Sequence, residues 1–246
     1  MKPEAKPAAA DLVVVHSSDI HIDDDYTARL FRGDGTMGLR LILEASRDAA
    51  ADLVILAGDV FEHNRLPVSL IDQAAALLEE FGLPTVILPG NHDPVTSDSV
   101  YRRGSLGDVR GVHILGVNSS DQVILPALDL EVWGHAHRDY GDMAPLRDPP
   151  KRRQRRRIAV AHGHYVPVPE HVAAPHASWL FGDAAIAAAD ADYLALGHWN
   201  RSTQVSGGTP AYYSGSPELT RSVNLVRLGP NGTAVSRHPL RWPFPE

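Results

Sequence analysis

Apolar residues along this chain come in short, nearly unbroken runs, and several of the runs stop at Asp, His or Asn. Leu12 to Val15 leads into His16-Ser17-Ser18-Asp19-Ile20-His21, and Leu53 to Leu56 into Ala57-Gly58-Asp59-Val60-Phe61-Glu62. Val86 to Leu88 runs into Pro89-Gly90-Asn91-His92-Asp93, and Ile158 to Val160 into Ala161-His162-Gly163-His164. Tyr193 to Leu196 ends in Gly197-His198-Trp199-Asn200. Runs this short, bounded by turn residues, predict buried strands. Between the first of them the period changes. Leu39, Ile42, Leu43, Ser46 and Ala50 recur at helical spacing, and Leu70, Ala74, Leu77 and Leu78 share a face of a helix with Pro67 in its first turn and Gly82 closing it. Asp23 to Gly38, rich in Asp and Gly, reads as a loop. The alternation of strands and helices predicts parallel strands covered by helices. The polar residues then collect at the carboxyl ends of the strands, where open α/β sheets place their sites.

The middle of the chain changes character. Val112 to Leu115, Gln122 to Leu125 and Leu130 to Trp133 are short strands separated by turns, and they predict a second, more antiparallel layer. A short helix around Asp183 to Ala189 precedes the strand Tyr193 to Leu196. Ala211 to Tyr213 follows, then Val223 to Leu228 and Ala234 to Ser236, joined across Gly229-Pro230-Asn231-Gly232 as a hairpin. The expected class is α/β, a two-sheet mixed β-sandwich flanked by helices. Residues 1–10 read as a flexible tail and 11–246 as one domain.

Composition narrows this modestly. A chain of 246 residues, 43% hydrophobic and 22% charged, has the make-up of a soluble globular protein and the length for a substantial core. No apolar run approaches a membrane span, and Met1 to Ala10 lacks the apolar stretch of a secretory signal. Cys is absent, which removes disulfides and thiolate metal sites, and a cytoplasmic protein is the simplest expectation. The net charge of −7 argues against a large nonspecific nucleic-acid surface. Two divalent ions held by two carboxylates would still make one spot locally positive.

Carboxylate oxygens combined with imidazoles suit a pair of divalent transition metals better than Ca²⁺ or Mg²⁺ alone. In this order and behind these strands, the series resembles the calcineurin-like metallophosphoesterase superfamily over roughly residues 11 to 220. Gly58-Asp59-Val60-Phe61-Glu62, Ala161-His162-Gly163 and Tyr213-Ser214-Gly215-Ser216-Pro217 look closest to its SbcD-type DNA-repair exonuclease branch. The resemblance implies the four-layer metallophosphoesterase-like fold, and a phosphodiester hydrolysed by a metal-bridged hydroxide. It also implies two divalent ions, Mn²⁺ first, with Fe or Zn as alternatives. Asp59 would bridge the ions. Asp19 and His21 would hold the first, and Asn91, His162 and His198 the second. His92 would be a non-ligand that donates a proton to the leaving oxygen. Glu62 would either hydrogen-bond His92 or simply be solvated.

The chain departs from the family pattern at Asn200. Where the motif Gly-His-x-His supplies a second His to the first metal, this sequence reads Gly197-His198-Trp199-Asn200. An amide oxygen is a poorer donor than imidazole to a transition metal, so Asn200 is expected to face the first ion and hold it weakly. Gly134-His135-Ala136-His137 matches the motif better but precedes His162, against the family order, so His135 and His137 read as strand-end residues. His164 either lines the pocket or lies on the surface, and His16 and His63 stand in the same position. Lys151 to Arg157 reads as a solvated basic loop, with a phosphate-backbone contact as the alternative. The expected partner is a phosphoester substrate, with nucleic acid an option and no membrane. The competing functions are a phosphomonoesterase and a metal-binding scaffold weakened by Asn200.

Overall fold

Strands that are apolar on both faces need cover on both faces, and here they find it in two six-stranded sheets packed against each other and flanked by helices. The computed structural model describes residues 11–23, 25–167, 179–205 and 208–244, and the expected tail 1–10 lies outside them. In chain order the strands begin with β1 (Leu12–Ser17), β2 (Leu53–Ala57), β3 (Thr85–Leu88), β4 (Val112–Ile114), β5 (Gln122–Leu125), β6 (Leu130–Trp133) and β7 (Arg156–His162). They continue with β8 (His164–Tyr165), β9 (Leu180–Phe181), β10 (Tyr193–Gly197), β11 (Thr203–Val205), β12 (Ala211–Tyr213), β13 (Ser222–Gly229) and β14 (Gly232–Pro239). The α-helices are α1 (Tyr26–Leu30), α2 (Met37–Asp48), α3 (Val68–Phe81), α4 (Asp183–Ala188) and α5 (Pro217–Thr220).

The first sheet runs β14-β13-β1-β2-β3-β4 and the second β11-β12-β10-β7-β6-β5. Alternation along β1 and β2 divides the packing. Val13, Val15, Val54 and Leu56 face Leu39, Ile42, Ile71 and Leu78 of α2 and α3. Leu12, Val14, Leu53 and Ile55 face Val132, Ile158, Val160 and Tyr193 of the opposite sheet. Beyond the second sheet, Ala161, Leu194 and Leu196 pack on Phe181 and Ile186, which belong to β9 and α4. The order is helix, sheet, sheet, helix. Each fully buried Val, Leu or Ile adds about 1.5–3 kcal/mol, so the inter-sheet seam holds the two sheets in one register. Truncating Ile55 to Ala in its middle would cost about 2–5 kcal/mol.

The strands that bear the polar ends run parallel: β1 with β2, β2 with β3, and β7 with β10. Their carboxyl ends therefore meet at one edge of the sandwich. The expectation of a more antiparallel second layer is corrected. In the second sheet β6, β7, β10 and β12 are mutually parallel, and only β5 and β11, at its edges, pair antiparallel. Val112–Ile114 belongs to the first sheet, parallel to β3. The segment read as a loop contains α1. Asp23 starts it, because its carboxylate accepts the N–H groups of Asp25, Tyr26, Thr27 and Ala28. Pro67 has an extended backbone and caps α3 from just outside it. The C-terminal hairpin is longer than its apolar runs, since β13 and β14 pair from Ser222 and Pro239 down to Gly229 and Gly232.

Candidate metal centre

Each strand end turns sharply into the edge between the sheets. Asp19, His21 and Asp59 adopt left-handed backbone conformations (φ 53°, 51° and 50°), and His198 has φ 105°. Such angles cost non-glycine residues about 1–3 kcal/mol and concentrate at functional sites. Hydrogen bonds hold the turns: Asp19 N–H donates to the Gly58 carbonyl, and Ile20 and His21 N–H both donate to that of Asp59. Close approach is built in at two glycines. A Cβ on Gly197 would lie 1.8 Å from the Ala57 carbonyl oxygen, and one on Gly90 would lie 2.2 Å from Asp59 Oδ1.

Donor atoms converge around Asp59. Its Oδ2 lies 3.1 Å from His162 Nε2, which is in turn 3.0 Å from Asn91 Oδ1. His198 Nδ1 stands 3.2 Å from the same Asn91 oxygen. The Asp59, His162 and His198 donors lie within 4.8 Å of one another, and so do those of Asp19, His21 and Asp59. Asp59 belongs to both groups. His162 Nδ1–H donates to the Ala57 carbonyl at 2.9 Å, which fixes the ring and turns Nε2 inward. Asp19 is held by its neighbours: Ser18 Oγ–H donates to its Oδ2 at 2.5 Å, His198 N–H reaches both oxygens at 3.1 Å, and Ser214 Oγ is 2.8 Å from Ser18 Oγ.

The electrostatics are those of a site that wants a cation. Asp19 and Asp59 are almost fully buried. Burial, with Asp59 beside it, pushes Asp19 up to about 6 although His162 opposes this. Burial also works to raise Asp59, but His162, His92 and His21 hold it below the usual carboxylate range. Burial works against charge on His162 too, yet Asp59 and Asp19 raise it to about 9. Buried carboxylates and imidazoles crowded together are stabilised by a shared positive charge, and this mixed oxygen and nitrogen donor set fits Mn²⁺, Fe²⁺ or Zn²⁺.

Glu62 sits between two histidines. Its Oε2 is 2.8 Å from His21 Nδ1, and its Oε1 is 3.4 Å from His92 Nδ1. Those contacts lower Glu62 to about 2. The Glu62 hydrogen bond, working against burial, raises His92 to about 9. His92 N–H also donates to Asp59 Oδ1 at 2.9 Å. Asn200 is exposed, unlike the buried Asp19, Asp59 and His162. His135 is turned away, with Nδ1 3.1 Å from Asp121 and Nε2 2.8 Å from the Arg147 carbonyl.

The remaining histidines that the sequence singled out divide between interior and surface. His137 is buried behind His162 and donates from Nε2 to its carbonyl at 2.9 Å. His164 is exposed, and its Nδ1 accepts from Trp199 Nε1–H at 3.0 Å. His16 is buried at 2.9 Å from the Tyr193 hydroxyl, and His63 Nδ1 accepts from Arg65 N–H. The basic run is no solvated loop throughout. Arg157, 1% exposed, pairs with the fully buried Glu131 and with Asp190, while Arg152 and Arg155 pair with Asp192 and Asp129.

Comparison with known proteins agrees with this geometry. The calcineurin-like phosphoesterase family model matches residues 12–202. Over 87 residues the chain is 29% identical to the SbcD component of the SbcCD nuclease from Escherichia coli K12, and equally to that of strain O157:H7. That stretch covers 34% of this chain and 22% of each relative, so it spans well under half of their length. Among solved structures, TT1561 of Thermus thermophilus superposes with a TM-score of 0.57 at 11% identity, covering 92% of this chain and 99% of that one. A further structure gives the same TM-score at 12% identity, covering 93% of this chain and 99% of its own. These two establish the fold.

Proposed function

This chain belongs to the calcineurin-like phosphoesterase family, and on that premise we propose that it is a dinuclear metal-dependent phosphodiesterase. One observation carries the reading: the buried Asp59 carboxylate stands in two of the three donor groups, as a bridging ligand must. Asp19 and His21 would complete one position, and Asn91, His162 and His198 the other. Mn²⁺ is the proposed native ion, and a phosphoester is the partner.

Two bound ions would supply positive charge for the phosphoryl oxygens and make an attacking water acidic enough to act near neutral pH. The remaining chemistry belongs to side chains. His92 stands beside Asn91, and its hydrogen bond to Glu62 favours the protonated ring. It can give that proton to the leaving oxygen, and Glu62 keeps it protonated and oriented. Glu62 also holds the His21 ring from Nδ1, a carboxylate–histidine arrangement that leaves Nε2 for an ion. A diester is preferred to a monoester because the curated relatives are nuclease subunits. No helix among the described residues is long and apolar enough to cross a membrane, and a cytoplasmic location is proposed with the activity.

The test is a Mn²⁺ titration of the purified chain with bis-p-nitrophenyl phosphate and p-nitrophenyl phosphate as substrates. We expect two ions per chain and faster turnover of the diester. Absence of metal-dependent turnover on either ester and on nucleic acid would overturn the reading. The exposure of Asn200 favours one alternative, a scaffold with a weak first metal position. That alternative expects one tightly held ion and no turnover.

A further inference from the structure

Beside Asn91 and His92 the surface opens into a cleft of about 570 Å³. That lies within the roughly 300–1,000 Å³ of small-molecule sites. Two aromatic side chains from outside every ligand motif line it, Tyr140 and Trp179. Trp179 packs edge-on against His198 at 5.7 Å and against His137 at 5.1 Å between ring centroids. Its indole N–H donates to the Gly141 carbonyl at 2.9 Å, and its backbone N–H donates to Asp142 at 2.9 Å, tying it to the loop that carries Tyr140. Those bonds hold Trp179 at φ 47°, an outlier for so bulky a residue. Tyr140 is 62% exposed. An aromatic wall is thus kept open to solvent within one residue layer of the metal ligands.

The charges around it are mixed. Arg65 lines the cleft and makes no ion pair among the described residues, but Asp98 and Glu62 line it too. A nucleic-acid strand running through would set further phosphates against those carboxylates, whereas strand-binding grooves are consistently basic. The basic run cannot help. Its last two residues, Arg156 and Arg157, open β7, whose far end carries His162, and the six steps from Arg156 at about 3.3 Å each put it roughly 20 Å away.

We propose that Tyr140, Trp179 and Arg65 form a subsite for the planar aromatic group of a nucleoside-sized phosphodiester, with no strand continuing beyond it. This deepens the phosphodiesterase reading and rests on it. Aromatic stacking supplies affinity for a base of any identity, and Arg65 adds a cation at the rim.

The test compares d(TpT) with oligo(dT) on the Mn²⁺-loaded protein, and AMP with ribose 5-phosphate in equilibrium binding. We expect d(TpT) to be cleaved with kcat/KM at least equal to that of the oligomer, and with little change between about 50 and 200 mM salt. Tyr140→Ala should raise KM for d(TpT) about five- to hundred-fold, the range of one base–aromatic stack, with kcat nearly unchanged. Tyr140→Phe should restore it. AMP should bind tighter than ribose 5-phosphate by a similar factor, and Tyr140→Ala should erase the difference. Equal binding of the two ligands, or an oligomer preferred with a steep salt dependence, would overturn the subsite. Base-selective binding without turnover on any ester would instead overturn the enzymatic reading and leave the subsite standing.

Discussion

At the scale of single residues, the site separates groups that would hold ions from a group that would move a proton. Asp59 shares its carboxylate between two donor groups and accepts the His92 backbone N–H, while the His92 ring stands in a third group with His21 and Glu62. Asp59→Asn should therefore abolish turnover and empty both metal positions, measured by bound Mn²⁺ per chain. His92→Ala should leave bound Mn²⁺ intact while turnover falls by about two to four orders of magnitude, the usual range for a positioned acid. Loss of both ions in His92→Ala would make it a ligand. Asn200 poses a different question, because its exposure sets it apart from the buried or half-buried candidate ligands. If it faces the first ion, Asn200→His should tighten Mn²⁺ binding and raise activity at limiting metal more than at saturating metal, since imidazole is the better donor. Unchanged Mn²⁺ titration curves would place position 200 outside the coordination sphere.

At the scale of elements, what was legible in the sequence depended on whether neighbours in the chain are neighbours in space. Each candidate ligand follows an apolar run, so β1, β2, β3, β7 and β10 announce their donors, and parallel pairing gathers them. Pairing partners are not written into a run: Val112–Ile114 looks like any short strand, and its place beside β3 comes from tertiary packing. Helix α1 was hidden because the Asp residues that suggest a loop include Asp23, whose carboxylate caps it. The basic run misled for a similar reason. Arg157 takes up a buried charge, Glu131, supplied by a different strand, with 2.9 Å between Nε and Oε1. Arg157→Met would leave that buried carboxylate with the backbone N–H groups of Arg153 and Gln154 but no countercharge, and should destabilise the protein by roughly 3–5 kcal/mol. The urea midpoint should drop with an unchanged slope, and Glu131→Leu in the same chain should recover much of the loss. A midpoint shift of only a few tenths of a molar in the single variant would show the pair to be solvent-relaxed.

At the scale of the whole molecule, the two sheets are joined by polar contacts as well as by apolar ones, and these were illegible because they link distant segments. His16 on β1, Tyr193 on β10 and Asn224 on β13 meet in the interior: His16 Nδ1 is 2.9 Å from the Tyr193 hydroxyl, and Asn224 Nδ2 is 3.3 Å from His16 Nδ1. All three are fully buried, and Arg237 donates to Asn224 from the rim. Burial first, and the Arg237 charge second, lower the His16 pKa from its ordinary value to about 3. Folded protein then keeps His16 neutral, while the unfolded chain protonates it below about pH 6.5. The unfolded state binds the extra proton, so stability falls as pH drops from about 6.5 toward 3. Its steepest contribution is about 1.4 kcal/mol per pH unit. His16→Gln keeps a polar side chain at the seam and removes the titration. The variant's unfolding free energy in urea should therefore decline more gently than that of the wild type between pH 6.5 and 4, whatever its offset at neutral pH. Parallel pH profiles for the two proteins would show that His16 is protonated in the folded state and that the seam tolerates its charge.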